Sequence, residues 1–186
     1  LDISTIANDL GCTGVIVGNE AFIDNKNVTG LVLPDNLIEL CDGAFERCTN
    51  LAGEISTTAA FKMSGYNAFD RTAITSAIFP NMTGSVGAWA FYECKQLKTV
   101  VLGDGITSFE EKAFYNCTSL EKVYISNLSK WCEISFSNVY ANPLYYAHNL
   151  YLNNELVEHL TITQDVNKVG SYAFYNCTNL KTVTIN

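Results

Sequence analysis

Apolar residues recur along this chain in one repeated phrase. In residues 97–120, Leu97, Val100 and Leu102 fall at strand spacing and share one face, which leaves Thr99 and Val101 on the other. Gly103-Asp104-Gly105 is turn chemistry. Ile106 and Phe109 return to the apolar side, Ala113, Phe114, Cys117 and Leu120 follow, and Val123 and Ile125 open the next strand. The same offsets appear at Leu31, Leu33, Leu37, Leu40, Ala44 and Phe45, and again at Leu160, Ile162, Val166, Val169, Ala173 and Phe174.

An Ala-Phe pair marks each copy: 21–22, 44–45, 68–69, 90–91, 113–114 and 173–174. Successive pairs start 23, 24, 22 and 23 residues apart, then 60 across an interruption. A period in the twenties predicts a solenoid, whose coils each contact only their neighbours. Successive strands then run parallel, and the Phe residues 22, 45, 69, 91, 114 and 174 form an internal column. Each buried Phe contributes about 1.5–3 kcal/mol. Gly18, Gly65, Gly87 and Gly170 stand three residues before the Ala, where a positive φ or a close backbone approach is expected. Residues 52–67 and 76–88 carry one-residue shifts. Residues 126–159 break the rhythm and predict one enlarged coil, with a two-residue hairpin turn at Asn153-Asn154.

Composition adds bounds. Hydrophobic content of 48% is ample for a core, and 16% charged residues leaves the surface to Asn, Thr, Ser and Tyr. A net charge of −8 argues against nucleic acid and anionic membrane as partners. No apolar run reaches the roughly 20 residues of a membrane span, so no membrane insertion is expected in this segment. Residues 1–186 are read as one array and, lacking an initiator Met, as a piece of a longer protein. Cys48, Cys94, Cys117 and Cys177 share one slot of the repeat, which reads as buried free thiols. A bridge between neighbouring copies stays open as an alternative. Asn27, Asn81, Asn116, Asn127 and Asn176 head Asn-x-Ser/Thr triplets. Those at Asn116 and Asn176 belong to the repeated phrase and read as turn amides beside the Cys.

The phrase AFYNCTSLEKVYI, preceded by GITSFEEK, resembles the BspA-like leucine-rich repeat of bacterial surface proteins over roughly 18–125 and 160–186. The stretch WCEISF to NPLYYAHNLYLNNELV is similar to an extended coil of that family. The resemblance implies a right-handed α/β leucine-rich-repeat solenoid of mainly short parallel strands with short helical turns. It also implies export, and roles in adhesion or host-protein binding. It carries over no catalytic residue.

Candidate chemistry is sparse. Glu110-Glu111 and the two His, 148 and 159, match no catalytic or metal pattern, and no phosphate loop or nucleophile elbow is present. No enzyme activity and no cofactor are therefore expected. The outward strand row is the better candidate for contact: Val32, Val101, Lys122, Tyr124 and His159, together with Tyr145 and Tyr146 of the Tyr-rich insert. The expected function is an extracellular or cell-surface module binding a host or environmental protein or glycan. The alternative is a structural spacer without a ligand.

Overall fold

The central coils each lay down two strands, where the sequence pattern predicts one. The computed structural model describes residues 1–186. One sheet stacks Val15–Val17, Leu37–Leu40, Lys62–Met63, Thr83–Val86, Gly105–Phe109 and Ser135–Phe136, all parallel. A second stacks Ala52–Ser56, Ala73–Phe79, Thr99–Leu102, Lys122–Ile125 and Leu150–Leu152, also parallel. The Ala-Phe segments form the third side of the solenoid. The strands of the first sheet were illegible because they are short and bulged, so they do not alternate cleanly. The register slips between Lys62 and Met63 and between Gly84 and Ser85. A matching slip in the second sheet lies between Gly53 and Glu54. Gly53 and Gly84 have φ of +85° and +78°, a backbone that glycine adopts without strain at a bulge. These slips are the one-residue shifts of the sequence.

The second sheet keeps the predicted register. Val100 pairs with Val123 and Val123 with Leu150, all buried, while Thr99, Val101, Lys122 and Tyr124 face outward. The segment at Leu31–Leu33 forms no strand, because Pro34 follows it at once. Val32 makes only a single parallel bridge, to Asp2.

The third side is built from β-turns in the regular coils, and short helices enter at Leu128–Glu133 and Leu144–Ala147. A left-handed residue precedes each Ala: Glu20, Gly43, Asn67, Trp89, Lys112 and Tyr172. A second follows two residues after each Phe: Asp24, Arg47, Arg71, Glu93, Asn116 and Asn176. These residues bend the chain too sharply for a helix and leave its amides pointing along the stack. Phe22, Phe45, Phe69 and Phe91 N–H groups donate to Ala44, Ala68, Ala90 and Ala113 carbonyls at 2.8–2.9 Å. Close approach, not positive φ, accounts for the Gly at 65 and 170. A Cβ there would meet Asp42 N at 2.5 Å and Ile134 O at 2.7 Å.

Phe22, Phe45, Phe69, Phe91 and Phe114 stack at 5.0–5.7 Å in one column. The repeat cysteines close it from the side. Cys48, Cys94 and Cys117 thiols donate to the carbonyls of Phe22, Phe69 and Phe91 in the preceding coil at 2.9–3.1 Å. The slot thus asks for a small apolar residue carrying one donor. All seven cysteines are free.

Phe174 does not join the column, because a complete coil intervenes. After Lys122–Ile125 the chain forms the helix Leu128–Glu133, capped by the Asn127 side chain. It then rejoins the first sheet at Ser135–Phe136 and the second at Leu150–Leu152. Here Phe114 N–H donates to Tyr140 O, which puts Ala141 in the Phe slot and Leu144 in the Cys slot. Both are fully buried. The 60-residue gap is therefore a full coil plus a hairpin. Leu150–Leu152 turns at Asn153-Asn154, both with positive φ, into antiparallel Glu155–Leu156, and this strand ends the second sheet. His159–Ile162 pairs instead with Thr182–Ile185 in a separate two-stranded sheet. Val169, expected inside, is 48% exposed, and Val183 and Ile185 are 53% and 77% exposed.

Candidate functional site

The residue after the Phe turns toward the surface in most coils, because the Phe before it points in and the left-handed residue after it reverses the chain; Asp70, after Phe69, stays buried. In consecutive coils this slot holds Tyr92 and Tyr115, which stack at 5.2 Å. The full coil extends the row. Tyr140 meets Tyr115 edge-on at 5.3 Å, Tyr145 meets Tyr140 at 5.0 Å, and Tyr175 stacks on Tyr145 at 6.0 Å. Tyr172 follows at 6.2 Å, and the Arg71 guanidinium covers the other end, 5.4 Å above the Tyr92 ring. Six tyrosines thus run unbroken along the turn face, half-buried in the middle and exposed at Tyr172 and Tyr175. Burial, then the neighbouring Tyr140, raises the Tyr145 hydroxyl pKa.

Beside this row, Trp89 stands in the left-handed slot before its Ala, with φ of 56°. Its indole lies 5.9 Å from the exposed Tyr66 ring, tilted 52°. A cleft of about 490 Å³ opens on one side, lined by Tyr66, Trp89, Ser64, Ser85, Glu110 and Glu111. A second, of about 320 Å³, opens on the other, between Trp89, Tyr92, Asn67, Asp70, Arg71 and Lys112. Asp70 is buried. Its Oδ2 accepts from Arg71 at 3.1 Å, and its Oδ1 has no hydrogen-bond partner. Desolvation raises its pKa to about 6, with Arg71 opposing.

The sequence-predicted residues fall into separate groups. Val101, Lys122 and Tyr124 share the outer face of the second sheet, and Tyr124 stacks on Tyr151 at 4.7 Å. Val32 is 51% exposed, but Leu1–Ile3 hydrogen-bonds along it. His159 lies beyond the hairpin in the two-stranded sheet, on the rim of a cleft of about 280 Å³ lined by Leu128, Leu152, Leu156 and Leu160. Tyr145 and Tyr146 belong to the helix Leu144–Ala147 on the turn side. Tyr145 is in the tyrosine row. Tyr146 is half-buried, and its hydroxyl accepts the Asn116 N–H at 2.8 Å. Sequence reasoning passed over Tyr66, Trp89, Tyr92, Tyr115 and Tyr175. The available signal was the third letter of the repeated Ala-Phe-Tyr phrase, which must stack coil upon coil.

No group of three or more His, Cys, Asp or Glu side chains is placed to hold a metal ion, and no helix is long and apolar enough to cross a membrane.

Parallel coils, an inward Phe column and stacked turns define the class as a leucine-rich-repeat solenoid. The model of the BspA type leucine rich repeat region matches residues 15–142 and 146–186 in six copies, and the chain belongs to that family. Among solved structures it is similar to a leucine-rich repeat protein of T. pallidum, TpLRR. That match has a TM-score of 0.53 and 19% identity, covering 91% of this chain and 62% of that one. A leucine-rich repeat protein from Bacteroides ovatus aligns over 92% of this chain and 59% of its own, at 20% identity and TM-score 0.44. A leucine rich cell surface protein from Faecalibacterium prausnitzii aligns over 91% and 62%, at 17% identity and TM-score 0.31. The T. pallidum likeness shows the fold alone. The chain spans about three fifths of the length of these proteins. No curated protein matches.

Proposed function

We propose that this chain is an extracellular or cell-surface binding module of adhesion type, recognising a host or environmental protein or glycan. The observation that carries the reading is the row of six tyrosines, in stacked and edge-on contact, on the turn face. Tyrosine presents a large, rigid contact area with a polar tip and is enriched where proteins meet partners. A row fixed by backbone stacking loses little entropy on binding. Membership of a repeat family used as an interaction scaffold supports the reading, and so does the family's surface setting.

The outer face of the second sheet, with Val101, Lys122, Tyr124 and Tyr151, is the rival contact surface. Retention of surface-protein and glycan libraries by wild type, Tyr115→Ser/Tyr145→Ser/Tyr175→Ser and Tyr124→Ser/Tyr151→Ser tests the choice. Loss in the first variant alone supports the turn face. Loss in the second alone moves the site to the sheet. No retention by wild type supports a structural spacer.

A further inference from the structure

We propose that the two clefts flanking Trp89 form a binding site for a neutral, hydroxyl-rich oligosaccharide, with the indole as the central platform. This rests on the reading of the turn face as a binding surface and names the ligand chemistry for one end of it.

The first observation is the choice of residue. Every coil needs a left-handed residue before its Ala. Glu20, Gly43, Asn67 and Lys112 meet that need with glycine or a polar side chain, and besides Trp89 only Tyr172 is aromatic there. A bulky aromatic is a costly occupant of this backbone region. Trp89 holds it while leaving its indole half-exposed, against the exposed Tyr66. Core packing does not explain that choice. A flat π-face does, because it attracts the apolar, partly positive C–H face of a pyranose ring.

The second is the set of polar groups around the platform. In the larger cleft Glu110 accepts from the Ser108 hydroxyl at 2.7 Å, so Ser108 in turn accepts from Ser85 at 2.8 Å. These are oriented acceptors for ligand hydroxyls. In the smaller cleft Asn67, Arg71 and Lys112 supply donors. Asp70 lines the same cleft with a side chain only 5% exposed, and its Oδ1 finds no partner in the chain. A buried acceptor left without a donor is costly. A sugar hydroxyl reaching into the cleft would satisfy it.

The third is charge and shape. The lining carries three carboxylates, Asp70, Glu110 and Glu111, against two cations. Arg71 already pairs with Asp70 and Glu93, and Lys112 with Glu111. Sialylated, sulfated and uronic-acid glycans are therefore disfavoured. Clefts of about 490 and 320 Å³ on either side of one ring suit an extended ligand crossing neighbouring coils.

The test uses the full chain with arrayed neutral hexose and N-acetylhexosamine oligomers and their acidic counterparts. Titration follows, read by tryptophan fluorescence. Trp131, 1% exposed, is the internal reference. Neutral oligomers are expected to bind and to shift Trp89 emission. Trp89→Asn, which suits the left-handed backbone, is expected to weaken binding about tenfold or more with thermal stability close to wild type. Glu110→Gln is expected to weaken it less. Preference for acidic glycans overturns the proposal, as does neutral binding that Trp89→Asn leaves intact. Capture of a protein through the tyrosine row with no glycan bound also overturns it, while the turn-face reading survives. If nothing binds, both readings fall.

Discussion

The repeat asks different things of its individual residues, and the energies follow from what each side chain touches. Phe114 is fully buried and stacks on Phe91 at 5.0 Å, so Phe114→Ala is expected to destabilise by about 3–5 kcal/mol in urea melts. Tyr124 is half-buried with one stacked neighbour, and Tyr124→Ala is expected to cost about 1 kcal/mol. Equal costs would contradict the inward and outward assignment of the coil. Asp70 makes the opposite kind of contribution. Burial raises its pKa from 3.8 to about 6, so the fold holds this proton more tightly than the unfolded chain does. Its stabilisation is complete below about pH 4 and is lost as pH rises through about 6. Asp70→Asn is expected to flatten that slope and to raise stability near neutral pH by on the order of 1–2 kcal/mol. Melts across this range check it, and an unchanged slope would place the titration elsewhere.

At the scale of elements, the full coil between the fifth and sixth Ala-Phe pairs shows how the stack survives an irregular layer. Side chains take over where backbone partners are missing. Trp131 Nε1 donates to Ala173 O at 2.9 Å, Asn142 Nδ2 to Tyr172 O at 2.6 Å, and Asn116 N–H to the Tyr146 hydroxyl at 2.8 Å. In regular coils the group equivalent to Asn116 N–H meets a backbone carbonyl, as Glu93 N–H meets Tyr115 O. Tyr146→Phe leaves that amide without an acceptor in a half-buried site and is expected to cost about 1–2 kcal/mol. Tyr145→Phe, on the neighbouring residue in the row, removes a hydroxyl that braces no backbone amide and is expected to change stability by less than about 0.5 kcal/mol. Thermal melts of the two variants separate a bracing tyrosine from a contact tyrosine. This contrast also marks how far the sequence could be read. Ala44, Phe45, Leu97, Val100 and Cys117 were legible because strand alternation and a fixed Ala-Phe offset leave them one place to go. The Asn153-Asn154 turn was legible from its own two residues. The first sheet was not, because bulges at Lys62 and Gly84 erase its alternation. The Trp89–Tyr66 pair was hidden for another reason. Its partners sit in successive coils, and the Tyr66 coil is one of the diverged copies.

For the whole molecule, stability is a chain of nearest-neighbour interfaces, and the cysteines report on it from one end to the other. Cys12 is exposed and Cys41 half-buried, Cys48, Cys94 and Cys117 line the middle coils, and Cys177 sits in the last one. Burial raises the Cys94 pKa to about 12 and pushes that of Cys117 well up, so their thiolate fraction is negligible until the coils open. Cys177 lies in the coil whose strands form the separate two-stranded sheet, and it is 9% exposed where Cys94 and Cys117 are fully buried. A quasi-one-dimensional array opens most readily where the sheet continuity between units is broken, as it is after Glu155–Leu156. A thiol reagent under native conditions is therefore expected to modify Cys12 and Cys41 first, Cys177 next, and Cys94 and Cys117 last, these two at one shared rate. Peptide mass spectrometry along a labelling time course gives the order. If Cys177 reacts no faster than Cys94, the last coil opens only with the centre, and the solenoid behaves as one all-or-none unit rather than as a stack that frays.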